Sequence, residues 1–305
     1  MRVYLNRQPK YGPWGGGSKT INKLAELLKE RGHEVVYHLI QDVDLIFCMD
    51  PRPNEHGVWY QHFLDYRAKH GTKIIQRVGD VGTHSKPELT KLVKQTLPYS
   101  DYFIFPSNWA KDWIGFEGSN CEVIFNKPMK QFYLNRTEQA TLSDKPRIVT
   151  HHWSTNPKKG FDIYQKLENY CLQTNRFEFT YIGRKPSNYK FNNYVEPIGV
   201  EMLAKEIPGH DIYVTASIEE AGANHVLEAL AAALPVVFHE RGGSIGDYCK
   251  EYGLSYNSFE NMLEKLEEMC KNYPTFKDKV VKYSDDNSQV VNHYINIFEK
   301  FGNVT

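Results

Sequence analysis

The stretch Ala216-Ser-Ile-Glu-Glu-Ala-Gly-Ala-Asn-His-Val-Leu-Glu-Ala-Leu-Ala-Ala-Ala-Leu-Pro-Val-Val-Phe238 joins a loop, a short apolar helix and an apolar strand. It contains Glu220 and Glu228, eight positions apart. A helix that begins near residues 222–224 presents unpaired backbone N–H groups and a partial positive charge, which suit a phosphate group. Glu228 would lie one turn inside that helix, where a carboxylate can accept hydrogen bonds from a vicinal diol, and Glu220 would reach the same cavity. The alternative is a buried helix with two solvated surface carboxylates.

The glutamate pair, followed by Ala-Leu-Ala-Ala-Ala-Leu-Pro-Val-Val, resembles the donor-binding signature of glycosyltransferase family 4, whose members are retaining enzymes of the GT-B fold. The resemblance extends to Thr150-His-His-Trp-Ser-Thr-Asn-Pro-Lys-Lys-Gly-Phe-Asp-Ile-Tyr164, Tyr181-Ile-Gly-Arg184 and Gly242-Gly243, and covers most of the chain. It implies an α/β protein with two Rossmann-like domains that face a central cleft. It also implies metal-independent, retaining transfer of a hexose from a nucleotide diphosphate sugar, without a cofactor, to an acceptor hydroxyl.

Length, charge and cysteine content limit the classes of protein that fit. A chain of 305 residues suits two domains of about 150 residues each. Its formal net charge is zero, which argues against a protein that binds nucleic acid by neutralising many phosphates. Five cysteines without a Cys-x-x-Cys pair fit a reducing compartment and argue against zinc. Because the sequence has neither a signal peptide nor about 18 consecutive apolar residues, we expect a cytoplasmic protein without a transmembrane segment.

Short apolar runs alternate with helical spacing at the rhythm of parallel α/β sheets. Strands are predicted at residues 2–5, 34–39, 45–49, 73–78 and 102–106, and again at 147–151, 177–182, 212–215 and 235–238. We therefore predict an acceptor-side domain over residues 1–130, a linker over 131–146 and a nucleotide-sugar-binding domain over 147–285. The resemblance implies that a C-terminal helix within 286–305 crosses back to the first domain.

Two further segments are expected to contact the donor phosphates. Gly15-Gly16-Gly17 follows the first strand, where the absence of Cβ atoms lets backbone N–H groups approach an anion; a plain flexible turn is the alternative. Lys159 matches the family's diphosphate-binding lysine and would neutralise the leaving nucleotide diphosphate. The family's arginine, five residues earlier, is replaced by Ser154. Arg184 is the predicted substitute, with a plain surface charge as the alternative.

The resemblance assigns roles to the residues of the opening stretch. Glu228 would hold the ribose hydroxyls, and Glu220 would contact the donor sugar as a catalytic residue together with Lys159. Glu219 adjoins Glu220, so the register of the pair is open. The remaining donor-binding residues, which would leave room for the sugar or offer amides to the phosphates, are Gly222, Ala223, Asn224 and His225.

Two patterns invite a metal interpretation that we do not adopt. His151 and His152 are adjacent on a predicted strand and point to opposite sides, so they cannot easily share one ion. We expect packing at the strand end and one imidazole, that of His152, in contact with the sugar or phosphate. Asp42-Val43-Asp44 matches the Asp-x-Asp of the other major glycosyltransferase fold, GT-A, but it leads into an early strand and is interpreted as a strand entry.

The acceptor side is represented by Arg77-Val-Gly-Asp80, which follows a strand and resembles the family's acceptor-side loop. Asp80 would position an acceptor hydroxyl as a catalytic residue, and Arg77 would hold an anionic group; a structural turn is the alternative. The acceptor would be a glycan, a lipid-linked molecule or a small molecule. Two other functions stay open: a nucleotide-sugar epimerase of the same fold, and a catalytically silent protein that binds a sugar nucleotide or a glycan.

Overall fold

The computed structural model describes residues 1–10 and 16–302. These residues form two compact units. The first consists of the chain up to Asn126 together with the segment that starts at Asn287, and the second spans Lys127–Asp286. None of the helices in the described ranges has the length and apolar character needed to cross a membrane.

The first unit contains a parallel sheet whose strands alternate with helices along the chain. The strands in its described part are β1 Arg2–Leu5, β2 Glu34–Val36, β3 Leu45–Cys48, β4 Lys73–Arg77, β5 Tyr102–Phe105 and β6 Cys121–Val123. The helices between them are α1 Gly16–Glu30, α2 Tyr60–His70, α3 Pro87–Thr96 and α4 Asn108–Ile114. The spatial order of the strands is β2-β1-β3-β4-β5-β6. All four side chains of β3 are 0% exposed, as expected for a parallel strand that is covered on both faces.

The second unit repeats this architecture. Its strands are β7 Arg147–His152, β8 Glu178–Gly183, β9 Asn193–Val195, β10 Ile212–Thr215, β11 Val236–His239 and β12 Gly253–Tyr256. Its helices are α5 Phe161–Thr174, α6 Val200–Glu206, α7 Asn224–Ala231, α8 Ser244–Cys249, α9 Phe259–Lys271 and α10 Tyr273–Val280. The spatial order is β12-β11-β10-β7-β8-β9. The winding of the chain reverses between β7 and β10, and such a switch point opens a crevice at the carboxyl ends of the strands.

The last helix, α11 Asn287–Gly302, packs within the first unit. Its apolar face joins the core formed by α1 and the sheet. The Phe298 ring lies 4.8 Å from the Phe47 ring of β3, measured between centroids. At the edge of this contact, Arg31 donates to the Asn296 side chain (2.8 Å) and His33 Nε2 lies 2.9 Å from Glu299. Helix α11 is therefore an integral part of the first unit.

The segment predicted as a linker, residues 131–146, belongs to the second unit. Phe132, in the 3₁₀ turn Lys130–Tyr133, is 0% exposed. The Tyr133 hydroxyl donates to the backbone carbonyl of Asp285 (2.5 Å), and Arg136 donates to that of Tyr283 (3.0 Å). The buried Phe132 ring and these two hydrogen bonds attach the segment to the second unit, and its polar composition gave no sign of them.

Replacing Phe298 by alanine should destabilise the first unit by about 3–5 kcal/mol, because truncation of a fully buried aromatic ring removes apolar burial and leaves a cavity. Urea unfolding followed by tryptophan fluorescence measures this, since Trp59, Trp109 and Trp113 all lie in the first unit. Tyr99→Ala is the matched control: this side chain is 49% exposed, and the change should stay within about 0.5 kcal/mol. Equal losses in the two variants would contradict the assignment of α11 to this core.

Candidate functional site

The residues of the opening stretch gather at the carboxyl edge of the second sheet, at its switch point. β7 ends at His152 and β10 ends at Thr215, so the loops that follow these two strands run side by side. Gly160 lies in the first loop with φ of +84°, and a Cβ atom on it would lie 2.4 Å from the Cβ atom of Ala216 in the second. Glycine is therefore required where the two loops meet.

The loop that carries the two glutamates is fixed by backbone hydrogen bonds to the segment after β11. Glu220 N–H donates to the carbonyl of Gly242 (3.2 Å), and Ser244 N–H donates to the carbonyl of Glu220 (2.8 Å). Ala223 N–H donates to the hydroxyl of Ser244 (3.0 Å). Glu219 adopts φ of +55°, the left-handed region that non-glycine residues rarely occupy. The Gly242-Gly243 pair thus belongs to the frame that positions this loop.

Two ion pairs distinguish the two adjacent glutamates. Lys159 Nζ lies 2.5 Å from Glu220 Oε1, and each side chain is only 12% exposed. Glu219 pairs with Lys158 and with Arg241 (3.2 Å), both of which are more exposed. The hydrogen bond from Lys158 lowers the pKa of Glu219. Of the two adjacent glutamates, Glu220 is therefore the one that pairs with the more enclosed lysine, Lys159.

Glu228 lies in α7 and is 2% exposed. Its Oε2 atom is 2.8 Å from His151 Nε2, and His151 Nδ1 is 3.0 Å from the Tyr213 hydroxyl. His152 points to the other face of the strand, where its Nε2 lies 2.7 Å from the Tyr164 hydroxyl. The imidazole that reaches the glutamate is thus His151, and the contact of His152 with the sugar or phosphate stays a prediction. The alternation along β7 signalled that the histidines diverge, but not which face α7 covers.

The first turn of α7 combines open backbone donors with an uncharged imidazole. Its N-cap, Ala223, has no side chain that can accept a hydrogen bond from the helix. His225 Nε2 lies 3.0 Å from the Thr215 hydroxyl. Burial lowers the pKa of His225 to about 3, so its imidazole is neutral at pH 7. Asn224 and Gly222 are partly exposed beside it. The turn therefore offers N–H groups to an anion without a fixed positive side-chain charge of its own.

The three histidine rings lie close together, with 4.9 Å between the centroids of His152 and His225 and 6.3 Å between those of His151 and His225. The side chains of His152, His225 and His151 are hydrogen-bonded to Tyr164, Thr215 and Glu228 respectively. In the described ranges, no three histidine, cysteine, aspartate or glutamate side chains are grouped as metal ligands would be. The histidine cluster is thus a hydrogen-bonded group.

Arg184 and the N-terminal glycines complete the predicted phosphate contacts. The Arg184 guanidinium donates to the backbone carbonyl of Trp153 (3.0 Å), which places it beside the loop that follows β7. Gly16 and Gly17 lie in the first turn of α1, and a Cβ atom on Gly17 would contact nothing within 4 Å. Gly15 lies outside the described residues. The phosphate role of these glycines and of Arg184 stays a prediction.

Arg77 is an internal residue of the first unit, with 5% of its surface exposed. Its guanidinium donates to the Tyr294 hydroxyl (3.1 Å) and to the Asn126 side chain (2.9 Å). These two contacts tie β4 to α11 and to the segment after β6. The positive charge is thus partnered inside the unit, and the acceptor-side role predicted for Arg77 stays a prediction.

Asp80 forms a turn at the carboxyl end of β4. Its Oδ1 atom accepts a hydrogen bond from Gly82 N–H (2.9 Å), and its Oδ2 atom lies 2.6 Å from Lys86 Nζ. Gly82 has φ of +82°, and a Cβ atom there would lie 2.5 Å from the carbonyl of Lys86. The structural turn considered above is therefore present. The Asp80 side chain is 40% exposed, and its role toward an acceptor hydroxyl stays a prediction.

No protein-family model matches the chain, and no curated protein is similar to it in sequence. Solved structures are similar in fold. Sucrose-phosphate synthase from Thermosynechococcus elongatus has a TM-score of 0.67 at 14% identity, over 99% of this chain and 96% of that one. A glycosyltransferase from Rickettsia africae has a TM-score of 0.69 at 13% identity, over 100% and 98% of the two chains. This chain has the GT-B fold. Anabaena HepE in complex with UDP and glucose is similar to the same extent, with a TM-score of 0.66 at 13% identity over 98% and 99% of the chains.

The GT-B prediction is therefore confirmed, with two parallel six-stranded sheets that each alternate with helices. At 13–14% identity, the similarity between this chain and the solved structures extends to the fold alone.

Gly160→Ala should destabilise the second unit by at least about 1–2 kcal/mol, the cost of a left-handed non-glycine residue, with the contact to Ala216 adding to it. Chemical denaturation measures the loss. Gly246→Ala is the control, because Gly246 lies within α8, a Cβ atom on it would contact nothing within 4 Å, and the helix should tolerate or favour alanine. If the two variants unfold alike, the loops do not depend on the close approach at Gly160.

The partly buried His225 makes the free energy of unfolding depend on pH in a defined window. Its pKa is about 3 in the folded protein and 6.5 as the ordinary value, so only the unfolded chain binds a proton between these values. Its contribution is complete above pH 6.5 and is lost as the pH falls toward 3, by up to about 1.4 kcal/mol per unit. His225→Gln should flatten this dependence, relative to the unmodified chain, in denaturation measured from about pH 7 to about pH 4. Parallel curves for the two proteins would show that the imidazole accepts a proton when folded.

Proposed function

We propose that this protein is a retaining, metal-independent glycosyltransferase that moves a hexose from a nucleotide diphosphate sugar to an acceptor hydroxyl. One observation carries the proposal. The Lys159–Glu220 pair, the first turn of α7 and the buried Glu228 converge at the switch point of the second sheet. This edge is where open α/β sheets bind nucleotides. The complex of Anabaena HepE with UDP and glucose supports UDP as the first nucleotide to test.

The donor would be held by groups with separate tasks. Glu228 would accept hydrogen bonds from the ribose hydroxyls, and the backbone amides of Asn224 and His225 would bind the diphosphate at the positive end of the α7 dipole. Ala221 and Gly222 would leave space for the sugar because they carry little or no side chain, with Ala223 next to them in the donor site. An uncharged His225 leaves the neutralisation of the phosphates to the backbone and to nearby cations.

Lys159 and Glu220 would exchange partners when the donor binds. Their opposite charges meet at 2.5 Å in a largely enclosed position. A diphosphate carries more negative charge than one carboxylate, so it would attract the ammonium group and leave Glu220 to accept hydrogen bonds from the donor sugar. Arg184, beside the same loop, would add a second positive charge where the family's arginine is absent.

In the transfer step the bond between the anomeric carbon and the diphosphate oxygen breaks, and its electron pair stays on the leaving diphosphate. The acceptor oxygen forms a bond to the same carbon on the same face, and its proton passes to the leaving phosphate. Lys159 and the α7 N-terminus stabilise the negative charge that develops, while the protein orients the reactants. Asp80 and Arg77 remain the predicted acceptor-side residues, for a glycan, lipid-linked or small-molecule acceptor.

A catalytically silent sugar-nucleotide-binding protein is the second candidate. Ser154 stands where the family has an arginine, and the one matching lysine is already paired with Glu220. A nucleotide-sugar epimerase of the same fold is the third. Incubation of each UDP-sugar with and without acceptor alcohols distinguishes them: a transferase forms a glycoside, an epimerase returns an altered sugar without an acceptor, and a binding protein returns the donor unchanged.

Thermal unfolding with UDP, GDP, ADP and their sugars, in EDTA, tests the nucleotide site. A ligand at about 100 times its Kd adds about 2.7 kcal/mol, which raises Tm by a few degrees. One base should give this shift, and Glu228→Ala and Lys159→Met should reduce it. Glu219→Gln is the matched control, since Glu219 adjoins Glu220 but pairs with the more exposed Lys158 and Arg241. The proposal would be overturned if the shift appeared only after a metal was added. It would also be overturned if none of the nucleotides produced a shift.

A further inference from the structure

The Glu228 carboxylate is buried in a position where its orientation must be fixed by donors within the protein. Only 3% of its side chain is exposed, so water cannot provide its solvation. The contact from His151 Nε2 at 2.8 Å is a hydrogen bond between two almost fully buried groups, the imidazole being 1% exposed. Such a bond is strong because the surroundings do not screen it.

Tyr213 determines which nitrogen of His151 carries the proton. The Tyr213 hydroxyl accepts a hydrogen bond from the His151 backbone N–H (3.1 Å) and lies 3.0 Å from Nδ1 of the same residue. Burial raises the pKa of Tyr213 well above its ordinary value, so the hydroxyl keeps its proton. Its nearer acceptor is Nδ1 at 3.0 Å, since the His151 carbonyl oxygen lies at 3.4 Å. With Nδ1 as the acceptor, the imidazole carries a proton on Nε2 and donates it to Glu228.

These three residues come from three elements that meet at the switch point. His151 is near the end of β7, Tyr213 lies on the neighbouring strand β10, and Glu228 lies on α7. Because both strands belong to the rigid sheet, these hydrogen bonds fix the position of the Glu228 carboxylate relative to the sheet. Its position therefore does not depend on the loop that carries Glu220. A fixed carboxylate is what discrimination between a ribose and a deoxyribose requires.

We propose that Tyr213 and His151 are positioning residues that orient the Glu228 carboxylate toward the ribose diol and thereby make the site selective for ribonucleotides over 2′-deoxyribonucleotides. This inference rests on the nucleotide site proposed above. It assigns a function to His151, the first of the two adjacent histidines, which the sequence alone did not provide. His151 and Tyr213 act through Glu228 and do not themselves contact the substrate.

The test compares the Kd of UDP with that of 2′-deoxy-UDP by calorimetry. The corresponding GDP or ADP pair is used if that base stabilises the protein. The unmodified protein should prefer the ribonucleotide by about 10- to 100-fold, the range of a hydrogen bond to a charged group. His151→Leu should reduce the preference to less than about threefold. His151→Gln should largely retain it, because the glutamine amide can donate from the position of Nε2.

Tyr213→Phe provides a second, smaller perturbation, since it removes the hydroxyl and keeps the ring in the core. It should weaken the ribose preference without a matching loss of affinity for 2′-deoxy-UDP. His210→Gln is the matched control: His210 is a partly buried histidine of the second unit whose Nδ1 lies 3.2 Å from the carbonyl of Ile207, and its replacement should leave the ratio unchanged.

The outcomes separate the inference from the function on which it rests. If no nucleotide binds the unmodified protein, the proposed function fails and the inference fails with it. If nucleotides bind but 2′-deoxy-UDP binds as tightly as UDP, the inference fails alone. A ratio unchanged in folded His151→Leu, or in Tyr213→Phe where His151→Leu does not fold, would also overturn it.

Discussion

The reversal of winding between β7 and β10 is the constraint on which the second unit depends. Where two neighbouring parallel strands lead into helices on opposite faces of the sheet, a crevice is left at their carboxyl ends. The space left there has to be filled by whatever the following loops and helices supply. In this chain they supply Gly160 at the closest approach, the Lys159–Glu220 pair at the rim and Glu228 at the base. The chemistry of the site is concentrated at this edge because the topology leaves it open.

Burying charge at such an edge is costly, and the protein offsets the cost by pairing. Glu228 receives a hydrogen bond from His151, and Glu220 receives one from Lys159. The two pairs differ in kind. The first joins an imidazole on a strand of the sheet to a carboxylate and has a fixed geometry, whereas the second joins two flexible charged side chains that a competing anion can separate. Fixed recognition and exchangeable charge thus occur within one site.

The sequence predicted the central strands well, because an uninterrupted apolar run marks a strand covered on both faces. It missed the strands β6, β9 and β12, which lie at the edges of the two sheets. They are three or four residues long and mostly partly exposed, so their composition does not differ from that of a loop. The segment 131–146 gives a weak signal for a related reason, since a single buried phenylalanine does not create a periodic pattern. The candidate site was likewise predictable only in its local part, where the glutamate spacing and the glycine before α5 are visible in short stretches. The hydrogen bond between His151 and Glu228 joins residues 77 positions apart and depends on which face of β7 is covered by α7, a choice that nothing around the histidine doublet encodes.

The return of α11 to the first unit makes that unit discontinuous along the chain. The residues of the second unit are contiguous, so they can fold as soon as they have all been synthesised. The first unit, although its sheet is made first, lacks the helix that covers one side of its core until residues 287–302 have been synthesised. Its hydrophobic surface beside α1 is therefore exposed throughout synthesis of the second unit, and its folding has to close a long loop that contains the whole of that unit. The synthesis of the first unit thus begins before that of the second, but its fold can be completed only after the second unit has been made.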